Sequence, residues 1–395
     1  MTPLHENAAE GPPRTRGAGS PAEIWKRMDS GVLGLVLGVA GLLLVISLRF
    51  PGAFSMPEIA ALHTKPVFRL ALHGILVVAF VCSALSVALR RERILGTTGL
   101  AAVLLAVLLG GSHAESLAPD STPLFLGLDF FVLNVLITGL LFIPVERLFP
   151  HRAEQPVFRE EWREDIFYYL VSSMLVQVLT YLTFSPARTL LAIAPLGEMR
   201  AWVGSLPWIV QFLAIMFLTD LVQYWVHRAF HRVPWLWHFH AVHHSAQSMD
   251  WMAGARMHFL EIVVLRSTTV IPMFVLGFSA SAMNSYIFLV YLYSTFVHAN
   301  VGWRFPVVEK LLVTPRFHHW HHGIEREAID VNFAVHFPLL DRLFGTYFLP
   351  PEERWPSGYG IEGHPVPRGY LEQFKHPFRG GKTPANATPK SDAQA

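Results

Sequence analysis

The sequence predicts an all-α fold: a polytopic membrane helix bundle of about six to eight membrane spans or hairpin segments. Three observations support this prediction. Hydrophobic residues make up 52% of the chain and charged residues only 15%, whereas a typical soluble domain carries about a quarter charged residues. The mean hydropathy is +0.38. The apolar residues also fall in runs long enough to cross a bilayer as helices.

The apolar runs divide the chain into segments. Residues 1–30 are rich in Pro, Gly and small polar residues, which predicts a disordered cytoplasmic leader. Four clean runs follow at 31–48, 67–89, 95–111 and 124–145, and four that carry more polar and aromatic residues follow at 166–183, 203–225, 262–278 and 282–297. Membrane-embedded hairpins fit the second set as well as full crossings do. We expect N-terminal transmembrane helices over 31–111, a membrane and catalytic domain over 123–350, and a largely disordered tail over 351–395.

Charged loops predict the orientation of the chain. Lys and Arg precede the first run and follow the second and fourth, whereas residues 112–122 contain neither. The positive-inside rule then places both termini and the histidine-rich segments on the cytoplasmic side. The C-terminal residues carry no endoplasmic-reticulum retrieval signal, which favours a bacterial inner membrane over the endoplasmic reticulum.

Composition also excludes several classes of function. A net charge of +2 is too small for a nucleic-acid footprint. Because Cys82 is the single cysteine, an intrachain disulfide or a thiolate-held iron–sulfur cluster is impossible.

Histidine is the unusual residue, with 20 copies, of which twelve lie between positions 227 and 322. Three clusters have spacings of three or four residues, which place imidazoles on one helix face. These clusters are His227 and His231; His240, His243 and His244; and His318, His321 and His322. Eight imidazoles could fill four positions on each of two metal ions. Imidazole suits iron, zinc, copper or nickel, and redox chemistry would favour iron, since zinc does not change oxidation state.

The blocks around these histidines resemble the fatty acid hydroxylase and sterol desaturase superfamily of integral-membrane, histidine-box di-iron oxygenases. The similar blocks, in the family's order, are residues 220–231, 237–245, 296–300, 314–323, Asn332 and 341–346. They lie within residues 161–350, so the first three apolar runs are outside the resemblance. The resemblance implies membrane helices with a cytoplasmic helical cap that holds a histidine-rich dinuclear metal site.

The resemblance also implies roles for individual residues. The eight clustered histidines would be metal ligands, His298 a ninth, and His258 a possible tenth, although Phe259 replaces the proline that usually follows this histidine in the family. Residues expected to support the ligands are Asp220, Glu261, Asn300 and Asn332. For Asp220 the alternative is a buried pair with Arg228, and for Glu261 an ion pair with a nearby Arg or His.

The implied reaction uses two iron ions, which zinc could replace in a purified sample, and O2 as co-substrate. It hydroxylates or desaturates a C–H bond of a lipid from the bilayer, such as a fatty acyl chain, a sterol or a related lipid. Since the chain has no dinucleotide-binding motif, a separate electron-donor protein (a reductase, ferredoxin or cytochrome) would dock on the cytoplasmic face. Arginines near the histidine blocks could attract it or could equally fix the topology; these are Arg228, Arg232, Arg256, Arg304, Arg316 and Arg326.

Three other functions compete with this interpretation. A metal transporter would place ligands along a path through the membrane spans, whereas the predicted topology places these histidines together at one membrane interface. A membrane zinc hydrolase usually needs only three protein ligands, and no Glu lies inside the pair formed by His227 and His231. An inactive scaffold is the third alternative, and the intact histidine blocks argue against it.

Overall fold

The structure, a computed structural model, is all-helical. It describes residues 30–89, 93–117, 125–194, 196–304, 306–351, 354–362 and 366–379. The helices are α1 (Ser30–Arg49), α2 (Pro66–Ala88), α3 (Arg93–Leu108), α4 (Leu128–Leu148), α5 (Trp162–Met174), α6 (Val176–Ile193), α7 (Gly197–Ser205), α8 (Trp208–Arg232), α9 (Pro234–His244), α10 (Phe259–Val275), α11 (Ala280–His298), α12 (Pro315–His321), α13 (Pro338–Leu343) and α14 (Tyr370–Lys375). Single helical turns occur at Pro51–Phe54, Pro57–Ala60, Gly111–His113, Ala253–Ala255, Val308–Lys310, Arg326–Ala328 and His376–Phe378. Within these residues, strand pairing is confined to two isolated bridges, Pro150 with Val301 and Gly323 with Tyr359.

Five of the described helices are long and apolar enough to cross a membrane. They are α1, α2, α3 with the turn after it, α4 and α8. The pair α5 and α6, bent by 65°, would make a sixth as one broken span. The total of up to six spans agrees with the lower end of the predicted range of about six to eight.

The first three helices form a closely packed unit of their own. A Cβ at position 34 would lie 2.7 Å from the backbone nitrogen of Ser83, and one at position 99 would lie 3.0 Å from that of Leu35. Only glycine allows the helix backbones to approach this closely. Leu44, Val45 and other apolar side chains of these helices form a shared core.

A compact set of helices at one end of α8 carries the clustered histidines. Helix α8 ends at Arg232, and Pro234 begins α9 at once, so the two helices meet at a corner. Proline is well suited to this first helical position because its missing N–H would have no intrahelical partner. The Thr314 side chain caps α12 by accepting a hydrogen bond from the N–H of Phe317.

The structure differs from the sequence expectations in three places. The run at 203–225 is divided between α7 and α8, because Pro207 precedes the first turn of α8. The segments 262–278 and 282–297 form α10 and α11, which are not among the helices long and apolar enough to span a membrane.

The third difference lies in the tail, expected to be largely disordered over 351–395. Residues 366–379 instead pack on the domain through α14, because Gln373 and the N–H of Gly369 donate hydrogen bonds to Glu164. The expected disorder of 1–29 and 380–395 falls outside the described residues.

Candidate metal centre

Nine histidines converge into two adjacent groups where α8, α9, α11 and α12 meet. The first group is His227, His231, His240, His244 and His321, and the second is His243, His298, His318 and His322. Within each group, one ring nitrogen from every histidine lies within 4.8 Å of all the others. The groups adjoin, since the ring of His244 stacks on that of His322 with centroids 4.3 Å apart.

Helical spacing explains how the clusters divide between the groups. His240 and His244 are one turn apart on α9 and point into the first group, whereas His243 points into the second. On α12 the division is similar, with His321 in the first group and His318 and His322 in the second. Each of these two helices therefore contributes to both groups and joins them.

The Nε2 atoms within each group are close. In the first group, that of His240 lies 3.0 Å from that of His227 and 3.1 Å from that of His244. In the second, the Nε2 atom of His298 lies 3.2 Å from that of His243 and 3.0 Å from that of His318. A metal-bound imidazole nitrogen lies about 2.0–2.1 Å from zinc, so two such nitrogens at right angles are about 3 Å apart. The observed separations fit a shared ion.

The opposite nitrogen of several rings is tied to an acceptor, which turns Nε2 inward. The Nδ1 atoms of His227, His321 and His243 donate to the backbone carbonyls of Phe333 (2.9 Å), Val331 (2.7 Å) and Arg256 (3.0 Å). Nδ1 of His298 donates to the carbonyl of Ser294 at 2.6 Å. Hydrogen bonds of this kind fix the tautomer and the ring orientation of metal-binding histidines.

Burial keeps these imidazoles neutral, the form that binds a metal. All nine histidines are less than 8% exposed. For His244 burial lowers the pKa well below its usual value, because desolvation disfavours the charged ring. Burial likewise lowers the pKa of His240, His243, His318, His321 and His322. The buried Nε2 atom of His231 has no hydrogen-bond partner among the described residues, so it is an orphaned donor atom aimed into the first group.

Glu261 lies directly behind the first group. Its carboxylate is fully buried and accepts a hydrogen bond from Nδ1 of His240. Asp330, which the sequence analysis did not single out, lies 3.4 Å from Nδ1 of His231. Both carboxylates are placed to orient imidazoles and to raise their basicity.

Asp220 does not contact a clustered histidine and is not paired with Arg228. Its two oxygens instead accept hydrogen bonds from the backbone N–H groups of Val335, His336 and Phe337, at 2.7–3.1 Å. It thereby holds the loop whose Phe333 carbonyl binds His227. The direct contact with His227 that was expected from the sequence is not observed, and Asp220 acts on His227 only through the backbone of this distant loop.

Asn332 holds the same loop from the other side. Its side-chain amide donates to the carbonyls of Phe317 (3.0 Å) and Phe348 (2.7 Å), and its oxygen accepts from the N–H of Phe348 (2.8 Å). Its φ of 60° lies in the left-handed region, which asparagine tolerates. Asn332 thus lies between the two carbonyls, of Val331 and Phe333, that orient His321 and His227.

Asn300 and His258 lie outside the two groups. Asn300 exchanges side-chain hydrogen bonds with the backbone of Arg152, so it fixes the connection after α4. The ring of His258 caps α10 by accepting from the N–H of Leu260, and its Nε2 donates to the carbonyl of Phe374. The structure therefore does not bring His258 together with the other nine histidines, because both its nitrogens are engaged elsewhere.

A buried ionic network behind the second group was not predicted from sequence. Arg159 binds Asp250 through two nitrogens, at 2.8 and 3.1 Å, and also pairs with Asp165. Arg256 donates to Asp165 at 2.7 Å, while its backbone carbonyl accepts from His243. These four charged residues are at most 2% exposed. Sequence offered no direct signal for the network, because its partners lie 91 residues apart.

The network corrects one idea from the sequence. Arg256 and Arg316 were candidates for attracting an electron carrier, but they are 0% and 8% exposed, and Arg316 pairs with Glu309 at 3.1 Å. Buried guanidinium groups of this kind cannot form a docking surface. Arg232 and Arg326 remain exposed.

The donor set fits two transition-metal ions. Each group offers at least four neutral imidazole nitrogens and no oxygen ligand, which suits iron or zinc and not calcium or magnesium. The pairing of two such groups is suited to chemistry in which two metal ions act together.

The comparisons with known proteins agree with this geometry. The fatty acid hydroxylase family model matches residues 212–346. An ornithine lipid hydroxylase from Rhizobium tropici is 27% identical over 242 residues, covering 59% of this chain and 71% of the relative. A putative methylsterol monooxygenase from Dictyostelium discoideum is 32% identical over 201 residues, covering 49% of this chain and 70% of the relative.

A third relative is matched over a shorter part of its length. The human alkylglycerol monooxygenase is 30% identical over 165 residues, which are 42% of this chain and 35% of the relative. No solved structure matches the chain. Taken with the apolar spans and the paired histidine groups, these similarities show that the chain belongs to the fatty acid hydroxylase and sterol desaturase superfamily, as a multi-pass membrane oxygenase that acts on lipids.

Proposed function

We propose that the protein is a di-iron oxygenase that uses O2 to hydroxylate or desaturate a C–H bond of a bilayer lipid. The observation that carries this proposal is the pair of adjacent, buried, all-imidazole groups. Two irons held there would supply the redox chemistry needed to activate O2, which zinc cannot supply. The relatives named for lipid hydroxylation and sterol monooxygenation support a lipid substrate.

The ligands that we assign are the nine converging histidines. His227, His231, His240, His244 and His321 would hold one iron, and His243, His298, His318 and His322 the other. His258 is not assigned as a ligand, because its nitrogens bind Leu260 and Phe374. Glu261 and the carbonyls of Val331, Phe333 and Arg256 would keep the imidazoles oriented.

The protein's own residues make the site suitable for this reaction by excluding water. Trp320, Phe317 and Phe333 beside the histidines are fully buried, so the centre lies in a water-poor interior. In such an environment a strong oxidant is shielded from side reactions, and its contact with a correctly placed substrate carbon is favoured. Small shifts in that placement would select hydroxylation or desaturation.

A separate redox protein must deliver two electrons for each turnover. We propose that it approaches from the cytoplasmic side, where the positive-inside rule places both termini and the metal centre. The exposed Arg232 lies on a face suited to docking this protein. Its guanidinium is 3.3 Å from the carboxylate of Asp330, which in turn is 3.4 Å from Nδ1 of His231. An acidic carrier would be attracted to this face and to Arg326. The location that we propose is a bacterial inner membrane.

Metal analysis of detergent-purified protein from iron-replete cells tests the proposal. Two variants remove one ligand from each group, His244→Ala in the first and His318→Ala in the second. The matched control is His238→Ala on α9, whose half-buried ring donates to the carbonyl of Pro234 and belongs to neither histidine group. We expect about two irons per chain in the wild type and the control, and loss of iron in both ligand variants.

Lipid products provide the second readout. The wild type, supplied with an electron donor, should add one oxygen atom to a membrane lipid or remove two hydrogens from it, and the ligand variants should do neither. A single tightly bound zinc that survives both substitutions would refute the di-iron assignment. It would also revive the hydrolase interpretation.

A further inference from the structure

Arg266 on α10 is an unpaired cation inside the helix bundle. Its guanidinium has no hydrogen bond or ion pair among the described residues, and the titratable group that acts on it electrostatically is the phenol of Tyr291. Charged side chains in membrane proteins usually pair with one another or mark a substrate path. A cation without a carboxylate partner in such a place therefore needs an explanation.

The exposure of Arg266 contrasts with the burial of its neighbours on the same face of α10. Its side chain is exposed, although enough protein surrounds it to desolvate the charge. Ile262 and Val270, one turn before and after it on the same face of α10, are only 5% and 7% exposed. The exposed residues of α10 that face outward, Leu260 and Val264, lie on a different side of the helix. This contrast points to an opening between packed helices that is lined by Arg266.

Along their helices, Arg266 and Tyr291 lie between the metal centre and the apolar core of the bundle. Arg266 follows Glu261 by five residues, about 7.5 Å along α10, and Tyr291 precedes His298 by seven residues, about 10 Å along α11. Beyond them, Val270 of α10 and Tyr286 of α11 pack in one apolar core with residues of the span α8. A molecule that reached the metal centre from the bilayer would thus pass the guanidinium of Arg266.

Further polar groups extend from Tyr291. Its hydroxyl donates a hydrogen bond to the side-chain oxygen of Asn134 on α4. Asn134 and Tyr291 are only partly buried. In a bundle of apolar helices, this combination of a cation, a phenol and an amide is suited to a polar group on an otherwise apolar ligand.

We propose that Arg266 binds the anionic oxygen group, carboxylate or phosphate, of the lipid that the centre oxidises. This inference rests on the proposed function and adds a substrate class to it, namely an anionic amphiphile. Tyr291 and Asn134 complete the polar subsite. Because Tyr291 of this subsite lies about two helical turns before His298, the oxidised carbon is separated from the anionic group by several bonds.

Lipid binding to the purified, metal-free protein tests the subsite without any turnover. Native mass spectrometry would compare three probes: oleate, which carries a carboxylate, dioleoylphosphatidylglycerol, which carries a phosphate, and uncharged diolein. We expect the wild type to prefer at least one anionic probe to diolein. Arg266→Gln should abolish this preference by weakening anionic binding about tenfold or more, since hydrogen bonds to charged groups are strong.

Two further variants make the result specific. Arg266→Lys retains the charge and should retain most of the preference. Arg188→Gln on α6 removes an exposed arginine from another membrane helix and should bind like the wild type. If Arg266→Gln kept the wild-type preference, the subsite would be disproved. The preference for oleate or for phosphatidylglycerol identifies which anionic group is bound.

Kinetics of the iron-loaded enzyme then distinguish a substrate from a structural lipid. Arg266→Gln should raise KM for the anionic lipid about tenfold while both irons remain bound. An unchanged KM despite weaker binding would show a structural lipid and overturn the inference. A failure of the proposed function would give a different result. The protein would not bind two irons and would produce no oxidised lipid, but its Arg266-dependent lipid binding would persist.

Discussion

Replacing Asn332 with alanine should destabilise the protein strongly and should affect one metal site more than the other. The Asn332 side chain is fully buried and makes three hydrogen bonds, to Phe317 and to both backbone groups of Phe348. Each buried polar group left without a partner costs about 1–3 kcal/mol. Alanine at a φ of 60° adds about 1 kcal/mol. The lower bounds together give about 4 kcal/mol.

Thermal unfolding in detergent measures this effect. A loss of about 4 kcal/mol corresponds to a fall of about 8–16 °C in melting temperature. The control is Asn300→Ala, which removes two side-chain hydrogen bonds from a residue without a positive φ. Its expected cost is about 2 kcal/mol, with no specific effect on the first histidine group.

Metal content gives a second, independent readout of Asn332→Ala. The carbonyls on either side of Asn332 orient His321 and His227, which are both in the first group. Loss of such oriented contacts typically weakens metal binding about 10–100-fold. We therefore expect iron to leave the first group before the second. A variant that melts within about 3 °C of the wild type and retains both irons would show that the Asn332 contacts do not position the loop.

Three other changes have defined outcomes. Glu261→Gln keeps an acceptor for Nδ1 of His240 but removes the charge, so iron binding should weaken about tenfold. A competition titration with a chelator measures the iron affinity. Equal affinities of the variant and the wild type would contradict the role of the carboxylate. Burial lowers the pKa of His336 to about 3, below the unfolded value of about 6.5; its contribution to stability is therefore complete above pH 6.5 and is lost as the pH falls toward 3. The melting temperature of His336→Gln should thus depend less on pH between 5 and 7 than that of the wild type, and parallel curves would disprove this. Arg159→Met leaves Asp250 without its buried partner and leaves Asp165 paired with Arg256 alone, which should cost about 3–5 kcal/mol. Near-wild-type stability would show that Arg159 is not needed to neutralise the buried carboxylates.

Local spacing identified eight of the nine histidines that come together, whereas His298 was expected from the family resemblance alone. Intervals of three and four residues define one face of a helix, and α9 and α12 form over those intervals. Spacing could not predict how the nine rings divide into five and four, because the division depends on how α8, α9, α11 and α12 cross. His258 shows the limit of a motif, since its ring binds the carbonyl of Phe374 in a segment expected to be disordered.

Contacts distant in sequence explain what was missed. Asp220 was expected to support His227 along one helix face, yet its carboxylate binds backbone groups about 115 residues later. The Arg159 network joins residues 91 apart. No local periodicity reports pairings of this length. The apolar runs, in contrast, predicted most membrane helices well, because length and hydropathy alone determine whether a helix can span the bilayer.

The buried network also has a consequence for the order in which the chain matures. During synthesis, Asp165 emerges before Asp250 and Arg256, so its pairing with Arg256 waits for about 91 further residues. Once residue 256 has emerged, the network can close and hold His243 through the Arg256 carbonyl. Both histidine groups still lack their α12 members at that point, since these begin at His318. Both metal sites are therefore completed only after every partner of the ionic network has been synthesised.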